Sequence, residues 1–158
     1  MKVEYVSPFA NAAIAVSESL LKTVPERGDL AVRPKLFTSQ QVSIVCGVTG
    51  SIEGHVIYGM SMATADKIAS IMIGQSVVTF DQIAASALAE LANLISRNAV
   101  SRLAEQGFKC EITPPTILRG SNVQVSLLEI PALVIPLNSE AFGMIEIGMS
   151  LQDRQLAA

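Results

Sequence analysis

The sequence is poor in charge, in cysteine and in histidine. Only 16% of its 158 residues are charged, and it holds two cysteines and one histidine. Each shortage closes off a class of function. A single histidine, His55, with no cysteine near it in sequence, argues against a metal site and reads as a surface or strand-end residue. Cys46 and Cys110 lie far apart, each in a strand-like run, and there is no CxxC pair. They read as reduced core residues of a cytoplasmic protein. Net charge is −3 and no basic run occurs, which argues against nucleic acid as a partner. No apolar run approaches the roughly 18–20 residues of a bilayer span. The opening "MKVEYVSPF" lacks the continuous apolar core of a signal peptide. A glycine-rich phosphate loop and a Ser-His-Asp set are also missing.

What the chain does have is apolar surface. Half its residues are hydrophobic, and mean hydropathy is +0.46. The length suits one domain over residues 1–158. Apolar surface beyond the needs of one core implies a subunit interface. Short, sparsely charged strands imply a sheet edge that needs cover. A homodimer joined by edge strands is the expectation.

Helix signals fall at residues 7–24, with Ser7 as N-cap and Pro8 at the first helical position. They recur at 63–74, ending on Gly74, and at 81–106, where Asp81 caps a helix that stops at Gly107. Strand-like runs occupy 30–39, 40–50 and 54–62, then 109–120, 121–137 and 142–151. The order helix, strand, strand, strand thus occurs twice, over about 1–75 and 76–158. Residues 54–62, "GHVIYGMSM", and 143–151, "GMIEIGMSL", share G-x-[VI]-x-x-G-M-S-[ML] at the same place in each half. Such a match points to an internal duplication. The expected fold is α+β. Two helix-plus-three-strand pseudo-repeats share one mostly antiparallel sheet, with helices packed on one face.

The helix over 81–106 carries the chemistry. On a wheel of about 100° per residue, Ala84, Ala87, Leu88, Leu91, Ile95 and Ala99 fill an arc of about 120°, the core face. Ser86, Glu90, Asn93 and Arg97 fall in a band of about 60°, nearly opposite. The small residues Ala85, Ala89 and Ser96 lie between. A polar band opposite an apolar face is usually a solvated surface. Asn93 stands out from that reading, because asparagine competes for backbone hydrogen bonds and is a poor helix-interior residue.

The pattern S-x-x-x-E-x-x-N, here Ser86, Glu90 and Asn93, is followed by Pro114 and Pro115. It resembles the signature of the CheC/CheX/FliY phosphatases. Between Asn93 and Pro115 lie 21 residues, one fewer than the family spacing. The N-terminal "YVSPFANAA", the repeat and the length resemble the CheX branch. The resemblance implies a phosphatase acting on the aspartyl phosphate of a phosphorylated CheY-like response regulator. Glu90 and Asn93 would be catalytic. Asn93 would position the attacking water, and Glu90 would dock on a lysine of the regulator. Ser86 would make a lesser contact, and Arg97 is a further partner-binding candidate on the same band. The chain would bind no cofactor itself; Mg²⁺ would sit in the regulator. The alternative is a non-catalytic scaffold of the same fold, docking on a signalling or flagellar-switch protein. The first half holds a faded copy of the signature. Asn11 precedes Pro34 at the family spacing, but Pro8 and Glu4 stand where Glu90 and Ser86 stand in the second half.

Overall fold

A helix needs its first N–H groups satisfied and its last carbonyls closed off, and the chain meets both needs locally. The computed structural model describes residues 3–120, 123–125 and 129–154. Among these, α1 spans Val6–Leu21, α2 Met62–Ile73 and α3 Gln82–Glu105. Ser61 caps α2, accepting from the Thr64 N–H at 3.1 Å, and Gly74 closes it in the left-handed conformation at φ 83°. The Asp81 carboxylate caps α3, accepting from the Ala84 N–H at 2.9 Å.

The start of α1 differs from expectation. It begins at Val6, with Tyr5 rather than Ser7 in the cap position, and Glu4 lies in a preceding 3₁₀ turn. Pro8 is therefore the third helical residue. It costs no hydrogen bond, because the first four N–H groups of a helix lack internal partners. Tertiary contacts set this earlier start. Tyr5 is buried, its ring packs edge-on to Phe108 at 5.2 Å, and its hydroxyl donates to Asp153.

The strands are β1 Glu26–Arg27, β2 Ala31–Arg33, β3 Val42–Gly50, β4 Ile52–Met60, β5 Cys110–Ile112, β6 Thr116–Arg119, β7 Ala132–Ser139 and β8 Gly143–Asp153. All ladder pairings are antiparallel, in the order β1/β2–β7–β8–β4–β3–β5/β6. The order reads alike from both ends. At its centre β4 pairs β8, so the two matching nine-residue segments lie side by side, His55 opposite Ser150 and Tyr58 opposite Ile147. The first glycine of each segment has a positive φ, 146° at Gly54 and 100° at Gly143. A Cβ at Gly54 would sit 1.9 Å from the Ser150 carbonyl oxygen, so only glycine fits.

Each half supplies one broken edge strand and two long strands; the first adds α1 and α2, the second α3. β1 and β2 are one strand along β7, interrupted at Gly28–Leu30. β5 and β6 are one strand along β3, interrupted at Thr113–Pro115. Prolines account for the second break, since they cannot donate to the ladder.

All three helices lie on one face. Val42, Ile44, Cys46, Val56, Tyr58, Ile145, Ile147 and Met149 point up into a core closed by Phe9, Ala13, Ile68, Leu88, Leu91 and Ile95. The opposite face carries a smaller cluster of Leu36, Ile57 and Ala132. The expected strand over 30–39 ends at Arg33, where Pro34 stops it. Residues 34–41 instead lie against that face, with Leu36 and Gln40 beside Gly148 and Gly59. The expected strand over 121–137 begins only at Ala132. Before it, Gln124 makes an isolated bridge to Phe37. Residues 121–122 and 126–128 lie outside the described residues.

Candidate active site

Helix α3 rests on α1, α2 and the β3–β5–β6 end of the sheet. Its buried face is Ala84, Leu88, Leu91, Ala92, Ile95, Ser96, Ala99 and Leu103. This is broader than the sequence arc. Ala87 is only half-buried, and Ser96 is fully buried rather than flanking. Ser96 tolerates burial because its Oγ lies 2.7 Å from the Tyr58 hydroxyl. Burial pushes the Tyr58 phenol and the Cys46 thiol above their ordinary pKa values. Both stay neutral inside the core.

The other side of α3 faces an open groove of about 460 Å³. Ser86, Ala89, Glu90, Asn93 and Arg97 form one wall; Ile112, Thr113, Pro114 and Pro115 form the other. The polar band read from the helix period and the two prolines read from the signature thus meet at one place. Ser86, Glu90 and Arg97 are exposed, while Asn93 is half-buried. Among the described residues, none of Ser86, Glu90, Asn93 and Arg97 has a hydrogen bond or ion pair through its side chain. Their polar groups are free to meet a ligand.

The proline wall is held from behind. The Thr113 N–H donates to the Gly47 carbonyl at 2.9 Å, and the Gly47 N–H donates to Thr113 Oγ1 at 2.8 Å. A Cβ at Gly47 would lie 3.0 Å from Thr113 Oγ1 and Cγ2. The lack of a side chain at Gly47 lets Thr113 seat against β3. Thr113 and Ile112 escaped the sequence reading; their adjacency to Pro114 and Pro115 was the available signal.

The remaining candidates stay apart from this groove. His55 lies on β4 opposite Ser150, its pKa lowered by burial. Cys46 and Cys110 are free thiols. Among the described residues no group of three or more His, Cys, Asp or Glu could hold a metal ion. Among the described residues no helix is long and apolar enough to cross a membrane.

The fold has known counterparts. A CheX from Desulfovibrio desulfuricans has a solved structure that superposes with a TM-score of 0.85 at 23% identity, covering 95% of this chain and 100% of its own. The CheX–CheY–BeF3–Mg²⁺ complex from Borrelia burgdorferi gives a TM-score of 0.80 at 30% identity, covering 96% of this chain and 100% of its own. The CheY-P phosphatase CheX of Thermotoga maritima is 28% identical over 139 residues, which is 85% of this chain and 90% of that protein. The chemotaxis phosphatase CheX profile matches residues 42–138. That span is more than half the chain and holds both walls of the groove: the chain belongs to the chemotaxis phosphatase CheX family.

Proposed function

We propose that this chain hydrolyses the aspartyl phosphate of a CheY-like response regulator, with Asn93 positioning the attacking water and Glu90 docking on the regulator. One observation carries the reading. Glu90 and Asn93 lie one helical turn apart, without side-chain partners among the described residues, on the wall of an open groove. Phosphoryl transfer asks for a water held in line with the breaking bond. The carboxamide of Asn93 can accept a hydrogen from that water and donate its NH₂ to a second group. It adds no negative charge against the phosphoryl oxygens. Glu90 supplies a carboxylate that a regulator lysine can meet in a charge-assisted hydrogen bond. Ser86 and Arg97 extend the contact along the same wall. Mg²⁺, in this reading, belongs to the regulator and neutralises charge there.

An exposed strand edge favours a homodimer. The β1–β2 edge exposes Val24, Leu30 and Val32 by 60%, 39% and 67%, beside the charged Glu26, Arg27 and Asp29. The opposite edge offers Glu111, Thr113, Pro114, Thr116 and Arg119. Pro114 and Pro115 interrupt the ladder and discourage strand addition there.

The deciding experiment mixes the purified chain with each phosphorylated CheY-type receiver domain of the host and times the loss of phosphate. Acceleration of at least one supports the reading; unchanged lifetimes for all would defeat it.

A further inference from the structure

The polar band on α3 does not end at Ser86. Ile83 lies three residues earlier, within about 20° of Glu90 on the wheel, and so continues the same line. It is 66% exposed, and Val78, in the preceding loop, is 91% exposed. Together with Ile73 and Val77 they line a hollow of about 300 Å³, with Gln75 and Asp81 at its margin. Exposure here is not slackness. The Val77 N–H donates to Ser70 Oγ at 2.9 Å, and the Asp81 N–H to the Thr79 carbonyl at 2.9 Å. Arg119 donates to the Phe80 carbonyl, and its guanidinium lies 4.7 Å from the centre of the Phe80 ring. Two aliphatic side chains are therefore held in water on a pinned backbone, at the end of a band of unpartnered polar groups.

We propose that Ile83 and Val78 form an apolar anchor that receives an aliphatic or aromatic side chain of the same phosphorylated regulator whose phosphate meets Asn93. The proposal rests on the phosphatase reading above and extends its docking surface. Ten residues separate Ile83 from Asn93, about 15 Å along the helix. A specific interface covers about 800 Å² on each partner, so both places fall under one footprint. Polar contacts fix register, whereas buried apolar anchors carry most of the affinity. A second copy of this chain fits less well. Helix α3 rests on the β3–β5–β6 end of the sheet, away from the β1–β2 edge proposed to join two copies.

The test follows phosphate loss over a range of regulator concentrations, with the receiver domain that the wild-type chain dephosphorylates. Ile83→Ser/Val78→Ser is expected to raise KM about tenfold, with kcat within twofold of wild type. Ile83→Leu should keep the wild-type KM. Both side chains are exposed, so the fold should hold, and circular dichroism checks this. An unchanged KM overturns the anchor. So does a loss of self-association on light scattering with KM unchanged, which would assign the patch to a second copy. A wild-type chain that accelerates no receiver domain defeats the phosphatase reading instead. The anchor is then judged by titration with beryllofluoride-activated receiver domains. No binding, or equal affinity of wild type and double variant, overturns it there.

Discussion

The Tyr58 hydroxyl lies 2.7 Å from Ser96 Oγ, in the core between β4 and α3. Ser96 is three residues beyond Asn93 and one before Arg97. The bond therefore ties the rotation of α3 to the sheet at the place where the helix presents its polar band. Hydrophobic packing alone is non-directional. A buried hydrogen bond adds a direction, because either partner left alone costs its desolvation.

Tyr58→Phe should lower stability by about 1–2 kcal/mol, and Ser96→Ala by a similar amount, since each strands a buried hydroxyl. The double variant should lose less than the two added together. Urea unfolding of the four proteins supplies the cycle. Strict additivity would show that the two hydroxyls do not interact.

Asn93→Ala should keep the fold, because alanine has the higher helix propensity. Phosphate loss should slow by about 10²–10³, the usual effect of removing a preorganised polar group. Single-turnover decay of the phosphorylated regulator measures it. A rate near wild type would remove Asn93 from the mechanism.

Glu90→Lys should weaken binding to the regulator far more than Glu90→Gln. The reversal sets two cations together if the partner group is a lysine, whereas glutamine keeps the shape and part of the hydrogen bonding. Titration with a beryllofluoride-activated regulator compares them. Equal losses would mean that Glu90 meets no cation.

If the β1–β2 edge joins two copies, Val32→Lys should favour the monomer, because an exposed charge on an edge strand opposes strand addition. Light scattering at micromolar concentration reads the mass. A wild-type monomer would rule out the dimer, and an unchanged dimer in the variant would move the interface elsewhere.

Helix α3 was legible because its 24 residues keep one period and begin at an unambiguous cap, Asp81. The stripe was legible because its spacings are short and lie on one helix, whereas the prolines, in the break between β5 and β6, were legible only through the family signature. What the sequence hid depends on distant residues. Ser96 looked like a flank residue because its partner, Tyr58, lies 38 positions away. Thr113 drew no notice because Gly47, which seats it, is 66 positions away. Residues 34–39 read as strand from their Leu and Phe, but Pro34 and the glycines at 59 and 148 lay them flat on the sheet. The start of α1 was misread because the burial of Tyr5 outweighed the local signals of Ser7 and Pro8.

The last prediction is that each chain has one working site, on α3. The first half was expected to keep Asn11 and Pro34 as a faded counterpart of Asn93 and its proline, and the strand register breaks that correspondence. Between Arg27↔Leu137 and Ala31↔Val134 the edge strand holds one residue more than β7. Between Ile112↔Val48 and Thr116↔Val45 it holds one more than β3. These matching bulges set Gly28, Asp29 and Leu30 against Thr113, Pro114 and Pro115. The Gly28 N–H donates to the Pro136 carbonyl at 2.9 Å, as the Thr113 N–H does to Gly47. Pro34 lies past the bulge, beyond Arg33, so the first half has no proline wall at this place. Pro8, three residues before Asn11, is buried and offers no carboxylate. Asn11 is exposed on α1 and reads as a solvated helix residue. Asn11→Ala should therefore dephosphorylate the regulator at the wild-type rate, and Asn11→Ala/Asn93→Ala should match Asn93→Ala. A large loss from the first substitution, or a further loss in the second, would reveal a second active site in the first half.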